Sequence, residues 1–193
     1  MKQSNLKIAI TGGIGSGKSA VAEIIAGEGY PVFSCDKIYS ELLTDKQFLQ
    51  EIDKNFSGVI NIDGSLNRSK LSCIVFNDEA KLKKLNEITH KKILSAAFGK
   101  MGGHKISFLE VPLLFENGFE TLFDQVIVVM RDKDQRINSV INRDKISSKQ
   151  VDLRINQQFD YENADFAKYY VIHNCSDLVD LKRKTVEILQ KIN

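Results

Sequence analysis

The sequence predicts an α/β fold built on a doubly wound, five-stranded parallel sheet. Five short runs are nearly continuous in apolar residues, which is typical of strands covered on both faces of a parallel sheet. Helical segments separate these runs, and strands that alternate with helices indicate a doubly wound sheet. The five predicted strands are residues 7–11, 31–34, 105–111, 125–130 and 169–173.

A glycine-rich segment joins the first strand to a helix predicted over residues 20–28. From Gly12 to Ser19 it reads Gly-Gly-Ile-Gly-Ser-Gly-Lys-Ser, which satisfies the G-x-x-x-x-G-K-[ST] pattern of a phosphate-binding loop. Glycines allow backbone N–H groups to converge on phosphate oxygens, and the following helix adds the positive end of its dipole. A turn that merely joins strand to helix is the less favoured interpretation.

The residue types of this loop each have a chemical role. Lys18 would contact the β- and γ-phosphates, and the Ser19 hydroxyl would coordinate Mg²⁺. The chain is therefore predicted to bind a nucleoside triphosphate. The nucleotide-binding residues predicted here are Gly13, Ile14, Gly15, Ser16, Gly17, Lys18, Ser19 and Ala20.

A carboxylate follows the second predicted strand. Ligands of doubly wound sheets gather beyond the carboxyl ends of the strands, so Asp36 could accept the proton of an acceptor hydroxyl during phosphoryl transfer. Aspartate is also favoured as a helix N-cap, and Asp36 could cap a helix that starts at Lys37. The sequence leaves both interpretations open.

Residues 37–103 are predicted to form a helical insertion, because no strand is convincing there. The clearest helix begins near Asp78, ends at Gly102-Gly103, and carries an apolar stripe. The members of that stripe are Leu82, Leu85, Thr89, Ile93 and Ala96. A turn is predicted over residues 61–65. A kinase needs such an insertion to hold its acceptor substrate.

A second helical insertion is predicted over residues 132–167. Asp132 and Gln135 favour the start of one helix, and Ser147 or Ser148 the start of another. Arg136 and Arg143 lie seven residues apart and so share a helix face, from which guanidinium groups could neutralise charge on a transferred phosphoryl group. The alternative is a solvated basic face paired with acidic neighbours, which are Asp132, Asp134 and Asp144.

Composition excludes several classes of protein. A net charge of +2 is too small to imply a nucleic-acid or anionic-membrane partner, and no apolar run is long enough for a membrane span. The polar start of the chain gives no sign of a signal peptide. Three cysteines without a C-x-x-C pair are expected to be small buried hydrophobes in a reducing cytoplasm. The N-K-x-D and D-x-x-G patterns of GTPases do not occur.

Over nearly its whole length the chain resembles the dephospho-coenzyme A kinase family. Residues 11–19 are similar to the family's loop almost letter for letter, and residues 111–116, Val-Pro-Leu-Leu-Phe-Glu, resemble its P-L-L-F-E signature. Residues 135–158 look like the family's lid pattern R…R-D…R-I-x-x-Q. The chain departs from the family pattern at Ser34, Lys91, Glu110, Lys168 and Ser176.

The resemblance implies ATP-dependent phosphorylation of the ribose 3′-hydroxyl of dephospho-CoA, the last step of coenzyme A biosynthesis, in the cytoplasm and with Mg²⁺. It implies a nucleotide-binding core of residues 1–36, 104–131 and 168–193, an acceptor domain of residues 37–103 and a lid of residues 132–167. Small molecules are the only partners that it implies.

The resemblance also implies roles for individual residues. The expected catalytic residues are Lys18, Asp36, Arg136 and Arg143. The nucleotide is expected to contact Arg143 and Asn174 in addition to the loop. The expected acceptor-binding residues are Asp36, Arg68, His90, Pro112, Leu113 and Arg154. Two alternatives stay open, a kinase of another small metabolite and a nucleotide sensor without catalytic activity.

Overall fold

A computed structural model describes residues 5–192 of the chain. The polar N-terminus predicted to precede the first strand lies, at residues 1–4, outside the described residues. Five strands form one parallel sheet in the order β2-β3-β1-β4-β5. They are β1 (Leu6–Thr11), β2 (Val32–Ser34), β3 (Ile106–Glu110), β4 (Gln125–Met130) and β5 (Tyr170–His173). All five predicted strands are therefore confirmed, and no strand end is shifted by more than one residue.

The register of the sheet sets where the site can form. Ile8 of β1 pairs with Phe108 of β3 and Gln125 of β4, and Ile127 of β4 pairs with Tyr170 of β5. Because the strands are parallel, their carboxyl ends meet at one edge of the sheet. The residues that follow β1, β3, β4 and β5 therefore lie at the same edge.

Residues 5–192 contain eight α-helices. They are α1 (Lys18–Gly27), α2 (Cys35–Leu42), α3 (Lys46–Phe56), α4 (Arg68–Phe76), α5 (Glu79–Met101), α6 (Lys133–Asp144), α7 (Ser148–Asn156) and α8 (Leu178–Ile192). Apolar residues of α1 and α8 pack on the sheet, among them Ile25, Leu181 and Leu189 against Ile8 and Phe108. No helix in the described part of the chain is long and apolar enough to cross a membrane.

The chain divides into two compact units. One contains residues 34–100, and the other contains the described residues on either side of that range. The smaller unit is helical and has its own core, formed by Phe48, Ile52, Phe56, Val59, Leu71 and Val75. Its predicted turn is confirmed, since the Asn61 N–H donates to the Ser65 carbonyl at 2.8 Å and Gly64 has a φ of +83°.

Several local predictions are confirmed by the helix termini. Asp132 caps α6 by accepting from the N–H groups of Asp134 and Gln135. Ser147 caps α7 and forms a capping box with Gln150. These signals were readable because a cap is made by residues that are close in sequence.

Other local predictions hold only in part or are wrong. In the predicted stripe of α5, Ile93 is buried and Leu85 packs against the helical core, whereas Leu82 is 42% exposed. Cys73 and Cys175 are exposed rather than buried. Helical periodicity indicates a face, but which part of that face is covered depends on neighbours that are distant in sequence.

Candidate nucleotide-binding site

The loop after β1 has the backbone conformation that its glycines allow. Gly12, Gly15 and Gly17 have φ values of +147°, +76° and +97°, which L side chains rarely adopt. Gly17 is the N-cap of α1, so the helix begins at Lys18, two residues before the predicted start. A β-carbon on Gly12 would lie 2.3 Å from the carbonyl oxygen of Val129. The loop is therefore wrapped tightly at the carboxyl edge of the sheet.

Lys18 folds back over this loop. Its Nζ donates to the carbonyl oxygens of Gly12 at 2.7 Å and Gly13 at 3.1 Å. Burial lowers the pKa of Lys18 to about 8, because desolvation penalises the charged ammonium. The carboxylates of Glu110 and Glu116 act in the opposite direction. A phosphate group beside this ammonium would favour its charged form.

Ser19 and Glu110 bring two oxygen donors together. The Ser19 hydroxyl donates to Oε1 of Glu110 at 2.8 Å, which joins the first turn of α1 to the end of β3. Hydroxyl and carboxylate oxygens are ligands that Mg²⁺ accepts, and Mg²⁺ usually keeps several waters besides few protein ligands. The pair fits that requirement, and no group of three or more His, Cys, Asp or Glu side chains suited to a metal occurs within residues 5–192.

Arg136 of α6 is buried against the loop. Its Nε donates to the Ile14 carbonyl at 3.0 Å, and its Nη1 lies 3.7 Å from Oε1 of Glu162. Burial lowers the pKa of Arg136, while the negative charge of Glu162 opposes that shift. The guanidinium group therefore contacts the backbone of the loop, in addition to lying close enough to Lys18 to lower the pKa of that lysine.

Arg143, two turns further along α6, has exposed surroundings. Its Nε donates to Oδ1 of Asp144 at 2.7 Å and its Nη2 to Oδ2 at 3.1 Å. Nη1 of Arg154 on α7 donates to the same Oδ2 at 3.0 Å. These contacts, the Arg143 hydrogen bond first, lower the pKa of Asp144. The predicted pairing of this face with an acidic neighbour is thus present at Asp144, while Asp132 serves as a helix cap.

Three further side chains hold the loop, and only Asn174 had been predicted to belong to the site. Nδ2 of Asn174 donates to the Ser16 carbonyl at 2.9 Å. Oε1 of Gln158 accepts from the Ile14 N–H at 2.8 Å, and Nη1 of Arg131 reaches the Gly15 carbonyl at 3.5 Å. Gln158 closes the R-I-x-x-Q pattern and Arg131 directly follows β4, so both positions carried a signal that the sequence interpretation left unassigned.

A strained leucine follows β3 in the Pro-Leu-Leu-Phe-Glu segment. Leu113 has a φ of +56°, a region rarely occupied by residues other than glycine, and it is 41% exposed. Nδ2 of Asn117 donates to its carbonyl at 2.8 Å and so fixes the turn. An exposed apolar side chain held in an unfavourable conformation beside the sheet edge is consistent with the expected contact to a ligand.

The same segment enters an aromatic cluster, which consists of Phe115, Phe159, Tyr161, Phe166 and Tyr169. The Phe115 ring has its centroid within 5.0–6.0 Å of the other four ring centroids. The Tyr161 hydroxyl lies 3.3 Å from the Thr11 hydroxyl, directly before the loop, and burial raises the pKa of Tyr161 to about 12. The cluster therefore joins the segments after β3 and α7 to the end of β1.

The remaining predicted residues belong to the unit of residues 34–100. Asp36 is exposed in the first turn of α2, whose N-cap is Ser34, so the hypothesis that Asp36 is a helix cap is wrong. The helix begins at Cys35, two residues before the start at Lys37 that this role requires. Arg68 is exposed at the start of α4, and His90 is half-buried in α5, where burial lowers its pKa.

Comparison with known proteins finds similar chains among kinases, in agreement with the phosphate-binding loop described above. The family model for dephospho-CoA kinase matches residues 6–180. The dephospho-CoA kinase of Fusobacterium nucleatum is 35% identical over 96% of this chain and 97% of its own length. That of Helicobacter pylori is 34% identical over 96% of each chain.

Solved structures give the same result. A dephospho-CoA kinase from Campylobacter jejuni has a TM-score of 0.68 at 30% identity, over 96% of each chain. The Thermus thermophilus protein TT1252 has a TM-score of 0.82 at 30% identity, over 97% of this chain and 98% of its own. A gluconokinase from Sinorhizobium meliloti, at 13% identity and a TM-score of 0.53, shares the fold alone. With a matching family model over most of its length and relatives of about one-third identity, the chain belongs to the dephospho-CoA kinase family.

Proposed function

We propose that this protein transfers the γ-phosphoryl group of ATP to the ribose 3′-hydroxyl of dephospho-CoA, which gives coenzyme A and ADP. The observation that carries the phosphoryl-transfer part is the half-buried Lys18 ammonium, which donates to the Gly12 and Gly13 carbonyls of the loop. The identity of the acceptor is carried by family membership. The reaction would be the last step of coenzyme A biosynthesis and would take place in the cytoplasm.

Lys18 would leave the loop carbonyls for the β- and γ-phosphates. Its two present partners are neutral carbonyl groups, whereas phosphate oxygens carry charge and make stronger hydrogen bonds. A lysine in a partly desolvated site stabilises charge that develops during transfer more strongly than it would in water. This role accounts for the presence of a lysine whose charged form is disfavoured by desolvation.

Ser19 and Glu110 would hold Mg²⁺, Ser19 directly and Glu110 directly or through water. When bound, the ion would neutralise phosphate charge. Glu110 also orients the Ser19 hydroxyl by accepting its hydrogen bond. The longer side chain that replaces the family's usual aspartate therefore still reaches the first turn of α1.

Asp36 would accept the proton of the acceptor hydroxyl. Its carboxylate is exposed in the first turn of α2, and the capping role that competed with catalysis in the sequence is performed by no side chain there. Residues 37–103 would form the acceptor domain, with Arg68 and His90 facing the acceptor, and Pro112 and Leu113 would contact it from the end of β3.

Arg143 and Arg154 would act from the lid of residues 132–167. Both guanidinium groups converge on one carboxylate, Asp144, and both are exposed. Planar guanidinium groups recognise phosphoryl oxygens as they recognise carboxylates, through paired N–H groups. Arg143 would stabilise charge on the phosphoryl group, and Arg154 would contact the acceptor.

The proposal is tested first by incubating the purified protein with MgATP and dephospho-CoA and identifying the 3′-phosphorylated product. Nucleoside monophosphates and gluconate serve as competing acceptors. Turnover with another acceptor in place of dephospho-CoA would overturn the assignment of substrate. ADP production that does not depend on any acceptor would overturn the assignment as a small-molecule kinase.

The catalytic role of Asp36 is tested by Asp36→Asn, which keeps the size of the side chain. We expect kcat to fall about 10²-fold or more, because a general base is removed, with little change in the affinity for MgATP. Glu79→Gln is the matched control, since Glu79 is an exposed first-turn acid of α5 in the same unit. A variant Asp36→Asn with normal kcat and the same small loss of stability as Glu79→Gln would show that Asp36 acts only on the helix dipole.

A further inference from the structure

We propose that Arg136 and Gln158 are positioning residues that hold the Gly13-Ile14-Gly15 part of the loop in the shape that binds MgATP. The inference rests on the proposed function only in taking MgATP as the nucleotide. It gives Arg136 a different role from the catalytic one predicted from the sequence, and it gives Gln158 a role in the site.

Both polar groups of the Ile14 backbone are bound by side chains of the segment after β4. The Ile14 N–H donates to Oε1 of Gln158 at 2.8 Å, and the Ile14 carbonyl accepts from Nε of Arg136 at 3.0 Å. Arg136 lies on α6, whereas Gln158 lies beyond the end of α7. The residue is thus fixed from two independent directions, and in this arrangement its N–H is engaged by the protein.

The residues on either side of Ile14 are glycines, and their lack of a β-carbon lets Arg136 pack closely against the loop. A β-carbon on Gly13 would lie 2.7 Å from Nη2 of Arg136, and one on Gly15 would lie 2.6 Å from the Arg136 carbonyl oxygen. Gly15 also needs glycine for its φ of +76°, but Gly13 is not among the described residues with positive φ. The close approach of the guanidinium group is therefore the structural reason for a glycine at position 13.

The guanidinium group has little freedom to yield. The side chain of Arg136 is 5% exposed, and its Nη1 lies 3.7 Å from Oε1 of Glu162. An added methyl group at position 13 would therefore displace Nη2 and weaken the hydrogen bond to Ile14. A catalytic arginine would instead direct its terminal Nη atoms at the phosphoryl group, whereas here Nε bonds to the loop backbone and Nη1 lies beside Glu162.

A double-mutant cycle distinguishes two reasons for a glycine at position 13, which are the close approach of Arg136 and the binding of the nucleotide itself. The dissociation constant of MgATP is measured by calorimetry, without acceptor, for the wild type, Gly13→Ala, Arg136→Gln and the double variant. We expect Gly13→Ala to raise the dissociation constant about 3- to 10-fold in the wild type, as for a lost hydrogen bond. In the Arg136→Gln background we expect a factor of less than about 2, because the shorter glutamine side chain at position 136 leaves room for the added methyl group. An equal factor in both backgrounds would overturn the proposal, since Gly13 would then serve the ligand itself.

Gln158→Met tests the second contact and does not depend on whether Arg136→Gln folds. We expect it to raise KM for MgATP about 3- to 10-fold with kcat changed less, and to accelerate hydrogen exchange of the Ile14 amide by a similar factor. Gln157→Met, at an exposed neighbouring position, is the matched control and should change neither quantity. Equal behaviour of the two variants would overturn the role of Gln158.

The calorimetric and hydrogen-exchange measurements remain informative if the proposed function fails. Nucleotide affinity and amide exchange are measured without acceptor, so they do not require turnover of dephospho-CoA. A wild type that binds MgATP but phosphorylates another acceptor would contradict the proposed function and leave this inference to be decided by the cycle.

Discussion

The two ends of α6 carry the same residue type in opposite surroundings. The Arg136 side chain is 5% exposed and bonds to the backbone of the phosphate-binding loop, whereas that of Arg143 is 64% exposed and bonds to the side chain of Asp144. The two arginines lie two helical turns apart on one face, so helix geometry does not separate them. What separates them is the loop, which covers the first arginine and leaves the second in solvent.

The difference determines what each arginine can do. A buried guanidinium group bound to a backbone carbonyl is held by the fold itself, and moving it would leave a buried charge without its partner. An exposed guanidinium group bound to a carboxylate can exchange that partner for a phosphoryl group at small cost, because exposed ion pairs contribute little. We therefore expect the buried end of α6, at Arg136, to position the loop, and the exposed end, at Arg143, to be able to contact a substrate.

The largest effect is expected for Lys18→Ala, which lies in the buried region near Arg136. We expect kcat to fall about 10²-fold or more with little change in melting temperature, because the lysine acts through electrostatic stabilisation of phosphate charge. Lys149→Ala, at an exposed position in α7, is the control and should keep wild-type turnover. Near-normal turnover of Lys18→Ala would show that the loop is not catalytic.

Lys18 should also cause the protein to take up protons when it binds MgATP. Its pKa of about 8 leaves it partly neutral above that pH, and bound phosphates favour the charged form, so MgATP binding near pH 8–9 should take up protons. Calorimetry in buffers of different ionisation enthalpy measures this uptake. Lys18→Ala should abolish it, and uptake that persists in that variant would assign the proton to another group.

The exposed end of α6 is tested by Arg143→Lys, which keeps the positive charge but removes the planar guanidinium group. We expect kcat to fall about 10- to 10²-fold with a smaller change in the affinity for ATP, as for a charged hydrogen bond made at the transition state. Arg183→Lys is a matched control, because Arg183 is likewise an exposed arginine that bonds to acidic side chains, Asp180 and Glu187, but it lies on α8. If Lys substitutes freely at both positions, Arg143 merely lies on a solvated helix face.

Asp144→Asn should have a smaller effect on turnover. The substitution loosens the common anchor of Arg143 and Arg154, so we expect kcat to fall about 2- to 5-fold, the range of an exposed ion pair. Asp180→Asn removes a carboxylate that similarly bridges Arg183 and Lys184, and it should leave kcat unchanged. A rise in turnover of Asp144→Asn would instead show that Asp144 competes with the nucleotide for the arginines.

The smallest expected effect concerns stability in acid. Arg143 and Arg154 hold the pKa of Asp144 below its ordinary value of 3.8, so its contribution to stability is present above that value and is lost as the pH falls through the lowered pKa. The difference in the free energy of unfolding between wild type and Asp144→Asn should therefore shrink as the pH is lowered below 3.8. Urea denaturation at several acid pH values measures it, and a difference independent of pH would contradict this account.

The sequence predicted what short-range patterns encode. The five strands, the turn at residues 61–65 and the caps Asp132 and Ser147 depend on apolar runs and on residues within four positions of each other. The loop could likewise be read directly, since its glycines, Lys18 and Ser19 all lie within residues 12–19. These features need no knowledge of the rest of the fold.

The contacts that organise the site were not predictable in this way. Gln158 reaches Ile14 across 144 positions and Asn174 reaches Ser16 across 158 positions. Periodicity placed Arg136 and Arg143 on one face, but it could not indicate that the loop would bury one of them. Only the folded sheet, which gathers the carboxyl ends of its strands at one edge, brings these groups together.

The aromatic cluster gives this protein a spectroscopic reporter of its own. The chain contains no tryptophan and five tyrosines, so its intrinsic emission comes from tyrosine alone. Tyr161 and Tyr169 lie in the cluster, and the Tyr161 hydroxyl touches Thr11 at the end of β1, immediately before the loop. A motion of the residues after α7 would change the packing of these rings, so tyrosine fluorescence and near-ultraviolet circular dichroism would follow it without an added label.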